Sequence, residues 1–271
     1  MSAAVTQPAP PLVNTATGGD RVRQFAVIVV TVLTLIVNVM ATTLPINGID
    51  TGAISDLSPV LFTPAGYVFS IWGVIYLGMI AYTIFQAIPA QAANPRLRAI
   101  GWLYVVSGLA NSLWIFLWHY LQYGWSVVVM LVLLACLAVI YTRLWPTRLQ
   151  VSRGEWWTTN LTFSIYLGWI TVATVANVTV FLYQTGWNGW GIAPEMWTVV
   201  MLAVAAVLGV YFGFVRADVA YPLVLAWSFA GIYVKQNAAI QLVAWTAAGL
   251  AVLMVAMAVV AFMRNRRVKN L

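Results

Sequence analysis

From residue 24 onward the chain alternates long apolar runs with short polar or basic breaks. A helix needs about 20 mostly apolar residues to cross ~30 Å of hydrocarbon. Eight stretches are predicted to span on that measure: about 24–45, 66–88, 98–120, 125–146, 158–183, 196–215, 219–235 and 238–263. The seventh is short, so it is expected to cross with little tilt or to lean on its neighbours. Only Gln236 and Asn237 separate it from the eighth, which predicts a tight hairpin, with a re-entrant pair as the other reading. The pattern therefore predicts an all-α integral membrane protein.

Both ends of the chain break the pattern. Residues 1–20, MSAAVTQPAPPLVNTATGGD, are polar and lack an apolar core, so they read as a disordered tail and not a signal peptide. Residues 266–271 read as a basic tail. Between the tails lie two membrane units, 21–184 with five spans and 195–265 with three. Gly209 and Gly213 in the sixth span form a small-xxx-small pair, the expected signature of a helix contact face in lipid.

Charge sets the orientation. Arg21, Arg23, Arg96, Arg98, Arg143, Arg148 and Arg153 fall in alternate breaks, as do Arg216, Arg264, Arg266, Arg267 and Lys269. Lys235 alone of the 13 basic residues breaks that alternation. Basic loops stay cytoplasmic, so eight spans with both termini cytoplasmic is the predicted topology. Composition agrees: 63% of the 271 residues are hydrophobic and only 7% charged, against about 25% charged in soluble domains. The net charge of +7 is dispersed in these breaks, which argues against a nucleic-acid partner and for the lipid bilayer. The single cysteine, Cys136, lies in an apolar run and reads as a small buried residue.

Indoles near span ends (Trp125, Trp145, Trp156, Trp157, Trp187, Trp190 and Trp197) read as an interfacial belt. Those within spans, Trp72, Trp114, Trp118 and Trp169, need another explanation. No span carries an ionisable residue near its centre, which counts against an ion-coupled transporter. His119 stands alone and reads as a hydrogen-bonded interfacial residue; no cluster has metal-ligand spacing and no nucleophile–base pair is visible. What remains is aromatic and amide. Asn111, Trp114 and Trp118 share a helical arc of about 60°, and Tyr166, Trp169, Ala173 and Asn177 one of about 80°. Buried amides need partners, so both stripes should face the protein interior. Two readings stay open: a packed seam with the amides bonded across it, or a lined pocket for a small molecule.

These residues also resemble a known family. Pro64-Ala65-Gly66-Tyr67-Val68-Phe69-Ser70-Ile71-Trp72, followed by Tyr76, resembles the PPGWVFxxxWxxxY signature of the TspO family, the tryptophan-rich sensory and translocator proteins, which include the peripheral benzodiazepine receptor. Asn111-Ser112-Leu113-Trp114 with Trp118 resembles its third-helix segment, and Tyr166 to Asn177 its fifth. The matches cover about residues 24–184. Ala65 and Ile165 stand where the family has proline, and the step from Phe69 to Trp72 is one residue short, a rotation of about 100° on an α-helix.

The resemblance implies a TspO-like five-helix membrane domain over 21–184, with the three-helix extension outside it. It implies a receptor or regulatory protein that binds a flat hydrophobic ligand, a tetrapyrrole such as porphyrin or haem or a sterol-like molecule, with no cofactor required. The expected contacts are Asn111, Trp114, Trp118, Tyr166, Trp169, Ala173 and Asn177, with Trp72 and Tyr76 behind them. The 20 residues from Pro45 to Pro64 are the expected lid, with Phe62 in it and Pro64 and Gly66 shaping entry into the second span. No catalytic or metal residue is expected, although some family members degrade protoporphyrin in light, and a transporter of small hydrophobic metabolites is the third reading. The extension is expected to cap the bundle, fill a homodimer face or carry a site of its own. The implied location is a bacterial cell membrane.

Overall fold

The computed structural model describes residues 15–44, 46–49 and 51–269, with side chains described as far as residue 266. Residues 1–14 of the tail, Pro45 and Asp50 of the expected lid, and residues 270–271 lie outside the described residues. The described chain is helical throughout, with no strand among the described residues.

The long helices follow the apolar runs that the hydropathy pattern predicts, with ends shifted by several residues. Helix α1 is Gly18–Thr43. It starts inside the segment read as tail because Thr17 and Asp20 form a reciprocal capping box. The short helix α2, Thr51–Asp56, lies in the following loop. A tight turn of 3₁₀ helix, Gly66–Ser70, then leads into α3, Ile71–Ala87. Helices α4, Pro95–His119, and α5, Tyr123–Leu144, form an antiparallel pair. A π turn over Trp156–Leu161 opens α6, Thr162–Gln184. Helices α7, Pro194–Val210, α8, Ala220–Gln236, and α9, Gln241–Lys269, complete the chain.

The first five long helices close into a ring in which α1 packs on α3 and α4, α4 on α5, α5 on α6, and α6 back on α3. The last three pack on one another and dock through α8 against α6 and the Gly66–Ser70 turn. Among the described residues seven helical segments are long and apolar enough to cross a membrane, one fewer than the eight runs predicted. Helix α8, with 17 residues, is the short one, about 25 Å at 1.5 Å per residue. It still runs from one end of the bundle to the other. Arg216, just before it, accepts from Trp145 Nε1 through its carbonyl, while Lys235 at its far end pairs with Asp56 of the loop after α1. Helices α8 and α9 form the predicted hairpin.

Side chains explain the docking. Gly209 of α7 and Gly213 of the π turn that continues it, Tyr211–Val215, face Met254 and Met257 of α9, and a Cβ on Gly213 would lie 2.8 Å from Met257 Cβ. The small-xxx-small pair is therefore a contact face, as expected. Gly231 of α8 lets Pro64 and Val68 approach its backbone, and its carbonyl accepts the Ala65 N–H at 3.1 Å. Two features differ from the sequence reading. Trp145, assigned to the interfacial belt, is buried, stacked on Tyr141 at 4.7 Å under the Arg148 guanidinium. Asp218, which borders the predicted seventh span on its polar edge, is only 1% exposed. It instead caps α8, accepting from the Ala220 N–H at 2.9 Å, the Tyr221 N–H at 3.3 Å and Ser164 Oγ at 2.6 Å.

Candidate functional site

The ring interior is built in layers from the basic end toward the loop end. At the basic end Asp20 of α1 receives Arg23 at 3.0 Å and Arg98 of α4 at 2.6 Å, while Arg96 pairs with Glu155 at 3.0 Å. Above these charges Phe163 meets Tyr82 and Tyr104 edge to face while the two tyrosines pack tilted, all with centroids 4.8–5.8 Å apart. This apolar plug separates the charged end from the middle of the ring.

The middle layer holds the residues singled out in the sequence. Tyr76 donates its hydroxyl to Asn38 Oδ1 at 2.8 Å, and Asn38 Nδ2 donates to Asn111 Oδ1 at 2.8 Å. Asn111 Nδ2 in turn donates to the Tyr166 hydroxyl at 3.0 Å. The chain of bonds ties α3, α1, α4 and α6 together at hydrocarbon depth, where each amide needs a partner. Trp72 stacks on Tyr76 at 5.6 Å and meets Tyr166 and Trp169 edge-on at 6.0 and 6.1 Å. The shortened step to Trp72 therefore does not rotate it outward. The 3₁₀ turn ahead of α3 winds about 120° per residue in place of 100° and resets the phase.

A second network sits nearer the loop end. Trp114 Nε1 donates to Asn177 Oδ1 at 2.9 Å, and Asn177 Nδ2 donates to Ser126 Oγ at 2.9 Å. Trp118 stacks on Trp114 at 5.7 Å and donates its Nε1 to the Thr51 carbonyl at 3.1 Å. Ala173, on the same stripe of α6, is only partly buried. Both stripes thus point inward and both amides are bonded across helices. Asn38 and Ser126 belong to these networks and were not singled out. Asn38 was findable, since an amide in the middle of the first span raises the same partner question as Asn111.

The loop after α1 closes this end. His119 is fully buried. Its Nδ1 donates to the Ile46 carbonyl at 2.9 Å, and its Nε2 shares a hydrogen bond with Thr51 Oγ1 at 2.9 Å. Asn47 returns a bond to the His119 carbonyl at 2.9 Å. Phe62 is fully buried, Pro64 packs on Gly231, and Gly66 opens the 3₁₀ turn. Further ties come from Gln184 to Ser58 at 2.9 Å and from Gln236 to the Leu61 carbonyl at 3.2 Å.

One polar atom in the middle layer is left over. Trp169 Nε1 is buried and has no hydrogen-bond partner among the described residues. Its ring packs against Phe69 at 5.7 Å and Trp72. An unmet donor in such surroundings costs about 1–3 kcal/mol. No cluster of metal-ligating side chains occurs among the described residues.

A ring of five apolar helices around bonded amides and clustered indoles, closed by an ordered loop and backed by further helices, defines a multispanning helical membrane protein of the TspO kind. The family comparison agrees: the chain belongs to the TSPO-like protein family, whose model matches residues 24–260. That match reaches well beyond the motifs at 24–184 and takes in α7, α8 and most of α9. No curated protein and no solved structure matches the chain.

Proposed function

We propose that the protein is a membrane receptor or regulator that binds a flat hydrophobic ligand, a tetrapyrrole before a sterol, between α3, α4 and α6. The observation that carries this reading is the Trp169 N–H, without a partner among the described residues, on a ring packed against Phe69 and Trp72, with Tyr166 against Trp72 in turn. Aromatic faces stack on a planar macrocycle, and a free indole N–H supplies a donor for an acceptor on its edge. Asn111 and Tyr76 of the same layer, and Trp114, Trp118 and Asn177 of the layer nearer the loop end, are the further ligand contacts, with Ala173 a small residue on the same stripe of α6. Entry follows release of the loop at 46–64, as ligand-gating lids do. The basic end, with both termini, faces the cytoplasm, and α8 crosses the membrane as an eighth span.

Titration of the purified chain with protoporphyrin IX and haem, read by tryptophan quenching, tests the site. Trp169→Phe, which deletes only the N–H, should weaken binding about 2- to 10-fold, and Trp114→Ala should weaken it further. Unchanged affinity in both variants refutes the assignment. A photochemical reading draws on the 6.1 Å spacing of Trp72 and Trp169. On that reading illuminated Trp169→Phe retains pigment yet degrades it far more slowly, and wild-type turnover in the variant removes it.

A further inference from the structure

A groove of about 1100 Å³ lies on the outer surface where α8 meets α3 and α6, and it shares no residue with the aromatic centre. Its chemistry is graded along its length. At the basic end it is walled by Arg148, Arg153 and Arg266. Beyond them come Trp156 and Trp157, and then Ile71, Val74, Leu223 and Trp227.

The arginines have no carboxylate partner among the described residues. Arg148 is held in place by bonds to the carbonyls of Trp145 and Arg216 at 3.0 and 3.1 Å. Arg153 and Arg266 are exposed. The carboxylate on this wall, Asp218, is buried, engaged by Ser164 and two backbone N–H groups, and forms no ion pair with these arginines among the described residues. Three arginines against one carboxylate leave the basic end net positive beside an apolar trough.

Depth identifies the occupant. From Arg153 to Ile165 is twelve residues of helix, ~18 Å of rise, which matches one leaflet of a ~30 Å core with part of its headgroup zone. The two indoles stand at the level where headgroups meet acyl chains. A soluble anion leaves the apolar length uncovered, and a zwitterionic lipid leaves the arginines unmatched. We propose that the groove holds one anionic phospholipid from the leaflet at the basic end. Its phosphate lies among Arg148, Arg153 and Arg266, and its chains lie along Val74, Leu223 and Trp227. Because α3 and α6 form one wall and α8 and α9 the other, the lipid joins the five-helix ring to the three-helix unit.

Native mass spectrometry of the full chain in detergent, titrated with dioleoyl phosphatidylglycerol or dioleoyl phosphatidylcholine, tests this. The wild type should retain one phosphatidylglycerol at least about tenfold more strongly than phosphatidylcholine. Basic residues near an anionic surface act roughly additively, so Arg153→Gln with Arg266→Gln should weaken that lipid about 30-fold. Leu223→Trp, at an exposed position on the apolar wall, should lower occupancy by either lipid. Unchanged circular dichroism melting and unchanged porphyrin quenching in these variants separate loss of the lipid from loss of fold. Equal retention of both lipids by the wild type overturns the proposal. So does a phosphatidylglycerol preference that survives both variants, and so does displacement of the lipid by millimolar inorganic phosphate, which assigns the arginines to a soluble anion.

Discussion

Asn111 is the most informative residue to perturb, because its amide joins α1 to α6 through two bonds. Asn111→Ala removes the 2.8 Å bond from Asn38 and the 3.0 Å bond to Tyr166. Asn38 keeps a partner, since its Nδ2 also donates to the Thr34 carbonyl at 2.8 Å. Tyr166 does not: its hydroxyl is left buried with no donor. An orphaned buried group costs about 1–3 kcal/mol, and the space left by the amide adds roughly 1 kcal/mol. The expected loss is about 2–4 kcal/mol. A cycle with Tyr166→Phe isolates the bond itself, because the second substitution removes the orphan. Interhelical hydrogen bonds in membranes couple by about 0.6 kcal/mol on average and up to about 1.7, so a coupling near 1 kcal/mol is expected. Reversible unfolding in mixed micelles, followed by far-ultraviolet circular dichroism, measures all four corners. Additivity within about 0.3 kcal/mol would refute the amide bridge as a stabilising link.

Lys235→Ala removes the 2.5 Å pair with Asp56 and the 3.0 Å bond to Thr63. Because the pair is partly exposed, stability should fall by less than about 1 kcal/mol, while porphyrin association in stopped flow speeds up several-fold as the loop is released; an unchanged rate would show that α8 does not latch the loop. Burial holds the Asp218 carboxyl above the usual aspartate range, so the folded state binds its proton more tightly than the unfolded chain does. Stability contributed by that group is full below about pH 3.9 and declines as pH rises toward the raised native value. Asp218→Asn, which keeps the acceptor for the α8 N–H groups, should flatten this part of the stability profile, and a profile parallel to the wild type argues against it. Gly213→Leu drives a side chain into Met257 and should cost about 1–3 kcal/mol or more in thermal unfolding. An unshifted transition there would mean that α7 and α9 do not pack through this glycine.

Much of the architecture was legible in the chain because a bilayer imposes one dominant constraint. Runs long enough to span reappear as helices, seven of them long and apolar enough to cross a membrane among the described residues, and the Gly209–Gly213 pair reappears as a contact face. The inward direction of Asn111 and Asn177 was legible for the same reason, since an amide facing acyl chains has no partner. Other features were not. The role of Trp145 depended on α5 ending beside Arg216, a neighbour 71 residues away. Asp218 reads as a boundary residue in one dimension and becomes a buried cap only because Ser164 of α6 stands opposite it.

What the sequence by itself determined is the solvent of each segment. Hydropathy separates lipid from water residue by residue, and that is local information sufficient to place helices and to turn polar side chains inward. What only the tertiary structure decided is which inward groups meet. Hydrogen bonds form between atoms about 3 Å apart, and whether Asn38 reaches Asn111, or Trp169 is left with no acceptor, depends on helix phases and offsets set jointly by every neighbour. The graded groove beside α8 is of the same kind: Arg266 lies far along the chain from Arg148 and Arg153, and the three become one surface only where the two helical units dock.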